Sequence, residues 1–294
     1  MEGAGVRLRR MFGNSEVPLL DPFLLLDNFG SMNPADYVAG FPWHPHRGLE
    51  TVTYMMNGKT EHEDSLGNKG VIDSGDVQWM SAGSGIMHQE MPRRTEGLLS
   101  GFQLWVNLPR QHKMETPAYR GVTAKSIPTV KETDGRIVKV IAGDYHKVEG
   151  PVKHIPVDPL YIDVTLPPNA RFEEAVTPGY TVFAQTLEGA GTFDPIGLPA
   201  VREGSERLYS GDIDPSKEAT CGKGETILYG DGDAVKITAG AKGLRFLFVS
   251  GKPLHEPVAW YGPIVMNTRE EIVEAFSDLR KGNFIKTTKV INEV

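Results

Sequence analysis

The chain has 294 residues, with 31 Lys and Arg against 38 Asp and Glu, a formal charge of −7 and a single cysteine, Cys221. That length is enough for two domains of ordinary size, each with its own core, while the acidic balance argues against broad attraction to nucleic acid or an anionic membrane. No stretch approaches a membrane span, Met1-Glu-Gly-Ala-Gly5 lacks the charged start and apolar core of a secretory signal, and a lone Cys221 reads as an incidental thiol in a reducing cytoplasm.

In chain order, runs of β-branched and aromatic residues predict strands over 19–28, 51–56, 70–72, 77–80, 101–107 and 137–142. Gly, Pro and Asn clusters separate them, a rhythm that suits an antiparallel barrel or sandwich. Residues 144–158, carrying Gly150-Pro151 and Pro156, read as a connection. Strands over 160–166, 181–187, 226–228, 234–237 and 244–249 then repeat the pattern. The expected organisation is a first domain over 1–143, a connection over 144–158 and a second domain over 159–294. One helix closes the chain: Thr268-Arg-Glu-Glu271 fits a capping box, Ile272, Val273, Phe276 and Leu279 form an apolar stripe, and Gly282 ends it. We expect this helix to dock within the molecule.

Two short strings carry the chemistry, His44-Pro45-His46 and His88-Gln89-Glu90. On a strand, residues two apart face the same way. Two neighbouring strands would therefore bring three imidazoles and one carboxylate to one metal ion. The strand signal over 49–56 follows the first string, and Gly83-Ser84-Gly85 precedes the second, a bend that re-aims the side chains after it. One such pair alone is a weak signal; two pairs separated by strand, turn and strand are a strong one. The second half has neither His-x-His nor His-x-Glu where ligands would be expected, so it is expected to be metal-free. His154 and His255 are isolated there, and a lone imidazole makes a poor transition-metal site.

Other features have plainer readings. His62, in Glu61-His62-Glu63-Asp64, is placed either near the cavity mouth or, the plainer reading, in a solvated hairpin. Gln78, Trp79, Met80, Gln103 and Trp105 lie on strands that line the barrel, but the inward set cannot be chosen from sequence. Gly189-Ala-Gly191 and Gly83-Ser-Gly85 read as turns; no Lys-Ser/Thr follows as a phosphate loop requires, and no nucleotide cofactor is implied.

The run Phe41-Pro-Trp-His-Pro-His-Arg-Gly-Leu-Glu-Thr-Val-Thr-Tyr54, the segment Gly75-Asp-Val-Gln-Trp-Met-Ser-Ala-Gly83, its continuation to His88-Gln-Glu-Met-Pro92, and Gly262-Pro-Ile-Val-Met-Asn-Thr268 closely resemble the pirin family. The likeness covers nearly the whole chain and is strongest over 17–110. It implies an all-β fold of two tandem cupin domains with a C-terminal helix lying against the first domain. Iron is expected in the first barrel, held by His44, His46, His88 and Glu90. Trp43, Leu49, Ser84 and Gln89 depart from the usual pattern without removing a ligand, so substrate preference is more open than metal binding.

Three neutral imidazoles and a carboxylate suit a divalent first-row metal and leave two octahedral positions open. Tetrahedral zinc would leave the site catalytically poor. Fe(II) is therefore expected, with Mn, Ni, Cu and Co as alternatives. Glu50 stands near the acidic position of general cupin motifs and reads as a group behind the ligands. The resemblance further implies a quercetin 2,3-dioxygenase-type reaction, in which dioxygen opens a flavonol ring with release of carbon monoxide and Glu90 accepts the hydroxyl proton. The competing expectation is a redox-sensitive regulator, a transcriptional co-regulator or a regulator of metabolic enzymes, acting on a protein partner without turnover. Direct nucleic-acid and membrane binding are not expected. The expected location is the cytoplasm, and in a eukaryote also the nucleus.

Overall fold

The computed structural model describes residues 3–193, 198–200 and 220–287, and the chain divides into two compact units. Residues up to Ser126, together with those from Leu254 onward, form the first; Ile127–Pro253 forms the second.

The first unit is two antiparallel sheets. Its strands are β1 (Leu8–Phe12), β2 (Phe23–Ser31), β3 (Phe41–His46), β4 (Leu49–Asn57), β5 (Thr60–Asp64), β6 (Lys69–Ile72), β7 (Val77–Ser81), β8 (Ile86–Pro92), β9 (Leu99–Asn107) and β10 (Ala118–Val122). Six of them run in the order β1-β2-β9-β4-β7-β10, and four in the order β3-β8-β5-β6. β4, flanked by β9 and β7, is buried on both faces over Leu49–Met55, as expected for the middle of a sheet covered on each side. β3 lies at a sheet edge, where Pro42 and Pro45 remove ladder donors at little cost.

A hairpin of Ala259–Tyr261 and Ile264–Met266, then helix α1 (Arg269–Lys281), complete this unit. The predicted cap is present: the Glu271 amide donates to Thr268 Oγ1 at 3.2 Å, and the Thr268 amide donates to Glu271 Oε2 at 2.9 Å. Gly282 closes the helix in the left-handed conformation at φ +73°. Ile272 and Ala275 form its buried face with Ile264, Met266 and Phe284, and Phe276 and Leu279 pack at the margin. Val273, predicted in the stripe, is 59% exposed, and Ala275 takes its place.

Arg47 fastens this C-terminal segment to the strand that carries two histidines. Only 2% exposed, it donates to Asp278 Oδ2 at 2.9 Å and to the Phe284 carbonyl at 3.0 Å, with its guanidinium 4.4 Å from the Phe284 ring centroid. A planar fork that can bond an acid and a carbonyl while stacking on a ring is a job for arginine rather than lysine. Lys113 adds a second tie: its buried ammonium donates to the Gly48 carbonyl, Asn107 Oδ1 and the Val265 carbonyl.

The second unit, described by itself, pairs 129–131 with 137–142, 137–142 with 160–166, 160–166 with 234–251, and 234–251 with 181–193. Its core includes Val138, Ile162, Phe172, Phe246 and Phe248. Ile137–Ala142, read from sequence as a strand of the first unit, belongs here, because periodicity predicts a strand but not its partner. Residues 144–158, read as a connection, also fall within this unit and contain a short hairpin. The strands predicted over 234–237 and 244–249 are one strand, Ala234–Gly251. Gly189-Ala-Gly191, read as a turn, is a bulge within Thr181–Phe193.

Gly48 gives a direct test of the tie between β3 and the C-terminal hairpin. Its φ is +77°, and a Cβ there would stand 2.0 Å from the Val265 carbonyl oxygen. Gly48→Ala should cost roughly 3 kcal/mol of stability through backbone strain and collision. A urea unfolding curve with an unchanged midpoint would count against this account of the junction.

Candidate metal centre

β3 and β8 are neighbours, and their register places His44 directly opposite His88. Along β8 the pattern is alternately buried, which points Ile86, His88 and Glu90 inward. The same two-residue spacing on β3 brings His46 beside His44. The three rings converge: centroids are 4.3 Å apart for His44 and His88, 4.9 Å for His44 and His46, and 5.0 Å for His46 and His88. One ring nitrogen from each lies within 4.8 Å of the others.

Carbonyl oxygens fix two of these rings. His44 Nδ1 donates to the Pro42 carbonyl at 2.8 Å, and His46 Nδ1 donates to the Pro263 carbonyl at 3.1 Å. A carbonyl can only accept, so each Nδ1 carries the proton and each Nε2 keeps its lone pair. Trp105 stands edge-on to His46, 5.0 Å between centroids, and limits that ring further. His88 is fully buried, with neither nitrogen bonded to a protein group.

Burial, reinforced by the neighbouring histidines, pushes the pKa values of His46 and His88 well below the usual imidazole range. Neutral rings are the form that binds metal. A buried polar atom without a partner costs free energy and calls for an explanation, and a divalent cation accepting a lone pair from each ring supplies one. The donor set therefore fits a first-row transition ion.

Glu90 is not part of the close group of three. Its carboxylate is 5% exposed and accepts from Thr53 Oγ1 at 3.1 Å and from Gln103 Nε2 at 3.4 Å. Thr53 and Gln103 are opposite each other on β4 and β9, and these contacts turn them towards the histidines. The inward set that sequence left open thus includes Gln103 and Trp105. Trp79 belongs to the other face, where its indole donates to Glu50 Oε2 at 3.1 Å. Glu50 is an odd number of residues from Thr53, so alternation puts it across the sheet from the histidines and not behind them.

His62 departs furthest from its reading as part of a solvated hairpin. It is 1% exposed on β5, its ring centroid 5.5 Å from that of His88 and stacked on Tyr119 at 4.9 Å. The signal was available: Thr60, His62 and Asp64 alternate with Glu61 and Glu63, which is the period of a strand with one buried face. The acidic neighbours masked it.

Glu50 yields a pH test. Burial raises its pKa from 4.5 to about 7, outweighing the Trp79 hydrogen bond and the Arg120 charge. A carboxyl whose folded pKa lies above its unfolded value binds more protons when folded, so its contribution is full below pH 4.5 and is lost as pH rises through 7. Glu50→Gln should remove that slope and stabilise the protein at pH 8 relative to pH 4.5 by on the order of 3 kcal/mol. Parallel stability–pH curves for the two proteins would show that Glu50 does not titrate in this way.

The family model described as Pirin matches residues 5–106, and that described as Pirin C-terminal cupin domain matches 161–285. A pirin-like protein of Caulobacter vibrioides is 43% identical over 284 residues, covering 96% of this chain and 94% of its own length. Pirin of Rattus norvegicus is 39% identical over 280 residues, covering 95% and 88%. The solved structure of quercetin 2,3-dioxygenase from Acinetobacter baumannii superposes with a TM-score of 0.79 at 31% identity, over 97% of this chain and 94% of that one. No helix among the described residues is long and apolar enough to cross a membrane. With both family models matched and about two-fifths identity along nearly its whole length, the chain belongs to the pirin family, all-β proteins of two tandem cupin domains with a C-terminal helix.

Proposed function

We propose that His44, His46, His88 and Glu90 hold a divalent first-row metal, Fe(II) by preference, and that the protein is a dioxygenase of the quercetin 2,3-dioxygenase type. The observation that carries this reading is the convergence of three imidazoles, His46 and His88 buried and His44 half-buried, two of them oriented by carbonyls and the third with no protein partner for either nitrogen. The likeness to a quercetin 2,3-dioxygenase over almost the full chain supports the substrate class. Aromatic and polar groups stand around the cluster, with Trp105 edge-on to His46, Tyr119 stacked on His62, and Gln103 and Thr53 donating to Glu90.

Such a metal, held by these residues, would supply a redox-active Lewis acid at the histidine cluster. The protein's residues do the rest. His44 and His46 present Nε2 in a fixed direction because their Nδ1 protons are committed to Pro42 and Pro263. Glu90, two residues after His88 on the same face, accepts the proton of the flavonol 3-hydroxyl; Thr53 and Gln103 steady its carboxylate as that proton arrives. Dioxygen then contributes both atoms to the opened ring, and one ring carbon leaves as carbon monoxide.

The test is anaerobic reconstitution with Fe(II), then addition of quercetin and oxygen while flavonol absorbance and carbon monoxide are followed. Flavonol loss with matching carbon monoxide release is expected, and it should vanish with metal binding in His88→Ala. Glu90→Gln should keep most of its iron yet lose about 10²- to 10⁴-fold in turnover. Iron bound tightly by the wild type with no flavonol consumed would overturn the dioxygenase reading, and full activity in Glu90→Gln would remove the base role.

A further inference from the structure

Two histidines in the cluster have a carbonyl for the nitrogen that faces away from it; His88 has none. Ligating imidazoles nearly always donate their second N–H to an acceptor, which sets the tautomer and the ring plane. Both His88 nitrogens are buried without a protein partner, and the neighbouring ring is His62, whose Nδ1 is also buried and unpartnered. Three unsatisfied nitrogens in two adjacent buried rings are the largest local concentration of unpaired polar atoms around the site.

The tautomer of His62 can be read from its other side. His62 Nε2 lies 3.3 Å from Asp64 Oδ2. That carboxylate also accepts from the Leu66 amide at 2.9 Å, the Asn68 amide at 3.0 Å and Asn68 Nδ2 at 2.8 Å. A carboxylate oxygen accepts, so Nε2 carries a hydrogen, and in the neutral ring that leaves the lone pair on Nδ1. Tyr119, stacked at an interplanar angle of 26°, keeps the ring from turning away.

We propose that His62 is a positioning residue for the metal centre: its Nδ1 accepts the N–H of His88 that the metal does not use, completing a chain Asp64–His62–His88. The inference rests on the three-histidine cluster being a metal site. It explains why an acidic inner strand carries a buried histidine at this one point, and why Asp64 is tied by four donors. The cross-strand register supports it, since Asp64 is opposite His88 and His62 opposite Glu90, so β5 backs the ligand-bearing strand residue for residue.

The experiment measures metal affinity, not turnover. Competition with a chelator, using Zn(II) and anaerobic Fe(II) as probes, would be run on the wild type, His62→Leu, His62→Asn and Asp64→Asn, with thermal unfolding to confirm that each is folded. His62→Leu should bind metal 10- to 100-fold more weakly. Asn places its amide oxygen where Nδ1 stands, so His62→Asn should stay within about threefold of the wild type, which a purely space-filling role would not produce. In the ¹⁵N-labelled, zinc-loaded wild type, His62 should appear as the Nε2–H tautomer, and His88 should show a slowly exchanging ring proton that His62→Leu lacks. Equal affinity in the wild type and His62→Leu, equal loss in the Leu and Asn variants, or His62 found as the Nδ1–H tautomer would each overturn the proposal while leaving the metal reading intact. A wild type that takes up neither metal would overturn both.

Discussion

A buried imidazole can offer a lone pair in a fixed direction only when its other nitrogen is engaged, and much of the first unit is arranged to meet that condition. For His44 the partner is local: the Pro42 carbonyl lies two residues earlier on the same strand. For His46 it is remote: the Pro263 carbonyl comes from 217 residues along the chain. That carbonyl is placed by the 259–266 hairpin, where the Val265 amide donates to the Arg47 carbonyl at 3.0 Å and the Val265 carbonyl accepts from Lys113. The C-terminal helix thus bears on the candidate site, because it packs on the hairpin whose Pro263 carbonyl meets His46.

The electrostatics follow from the same arrangement. Burial, with the neighbouring rings adding to it, holds His46 and His88 below the usual imidazole range. Keeping them neutral is what readies them for a cation. The carboxylate is treated differently: Glu90 is held by two neutral donors, Thr53 and Gln103, and is not paired with a buried cation. A full counter-charge would have neutralised it and competed with the metal. Across the sheet Glu50 is buried against Trp79, so the two inward-reading glutamates of the sequence have opposite fates that follow from parity along the strands.

Much of this was legible beforehand. The spacing of His44, His46, His88 and Glu90 brought the candidate ligands to one face because strand alternation is a strict rule, and the cap at Thr268 and Glu271 was readable because it depends on four consecutive residues. What could not be read was non-local. Nothing in the sequence of 137–142 says that it pairs with 160–166 and not with the first unit. Nothing around Pro263 says that its carbonyl meets His46. Val273 was misplaced because an apolar residue on a helix is free to face solvent when Ala275 lets the helix approach more closely. His62 was hidden by its neighbours' charge, although alternation applied to Glu61-His62-Glu63 would have turned it inward.

The three histidines are held by interactions of different range. His44 depends on its own strand, His46 on a segment from the far end of the chain, and His88 is met by the rings of His44 and His46 from β3 and of His62 from β5. Local hydrogen bonds survive local opening, whereas a bond between residues 217 apart lasts only while the C-terminal segment stays docked. A metal that binds the native cluster and not the opened one must therefore stabilise that docking by mass action, because without the Pro263 carbonyl one of the donors loses its direction. If the cluster holds a metal, its binding and the closure of the first unit would be one equilibrium, coupled through a single carbonyl oxygen.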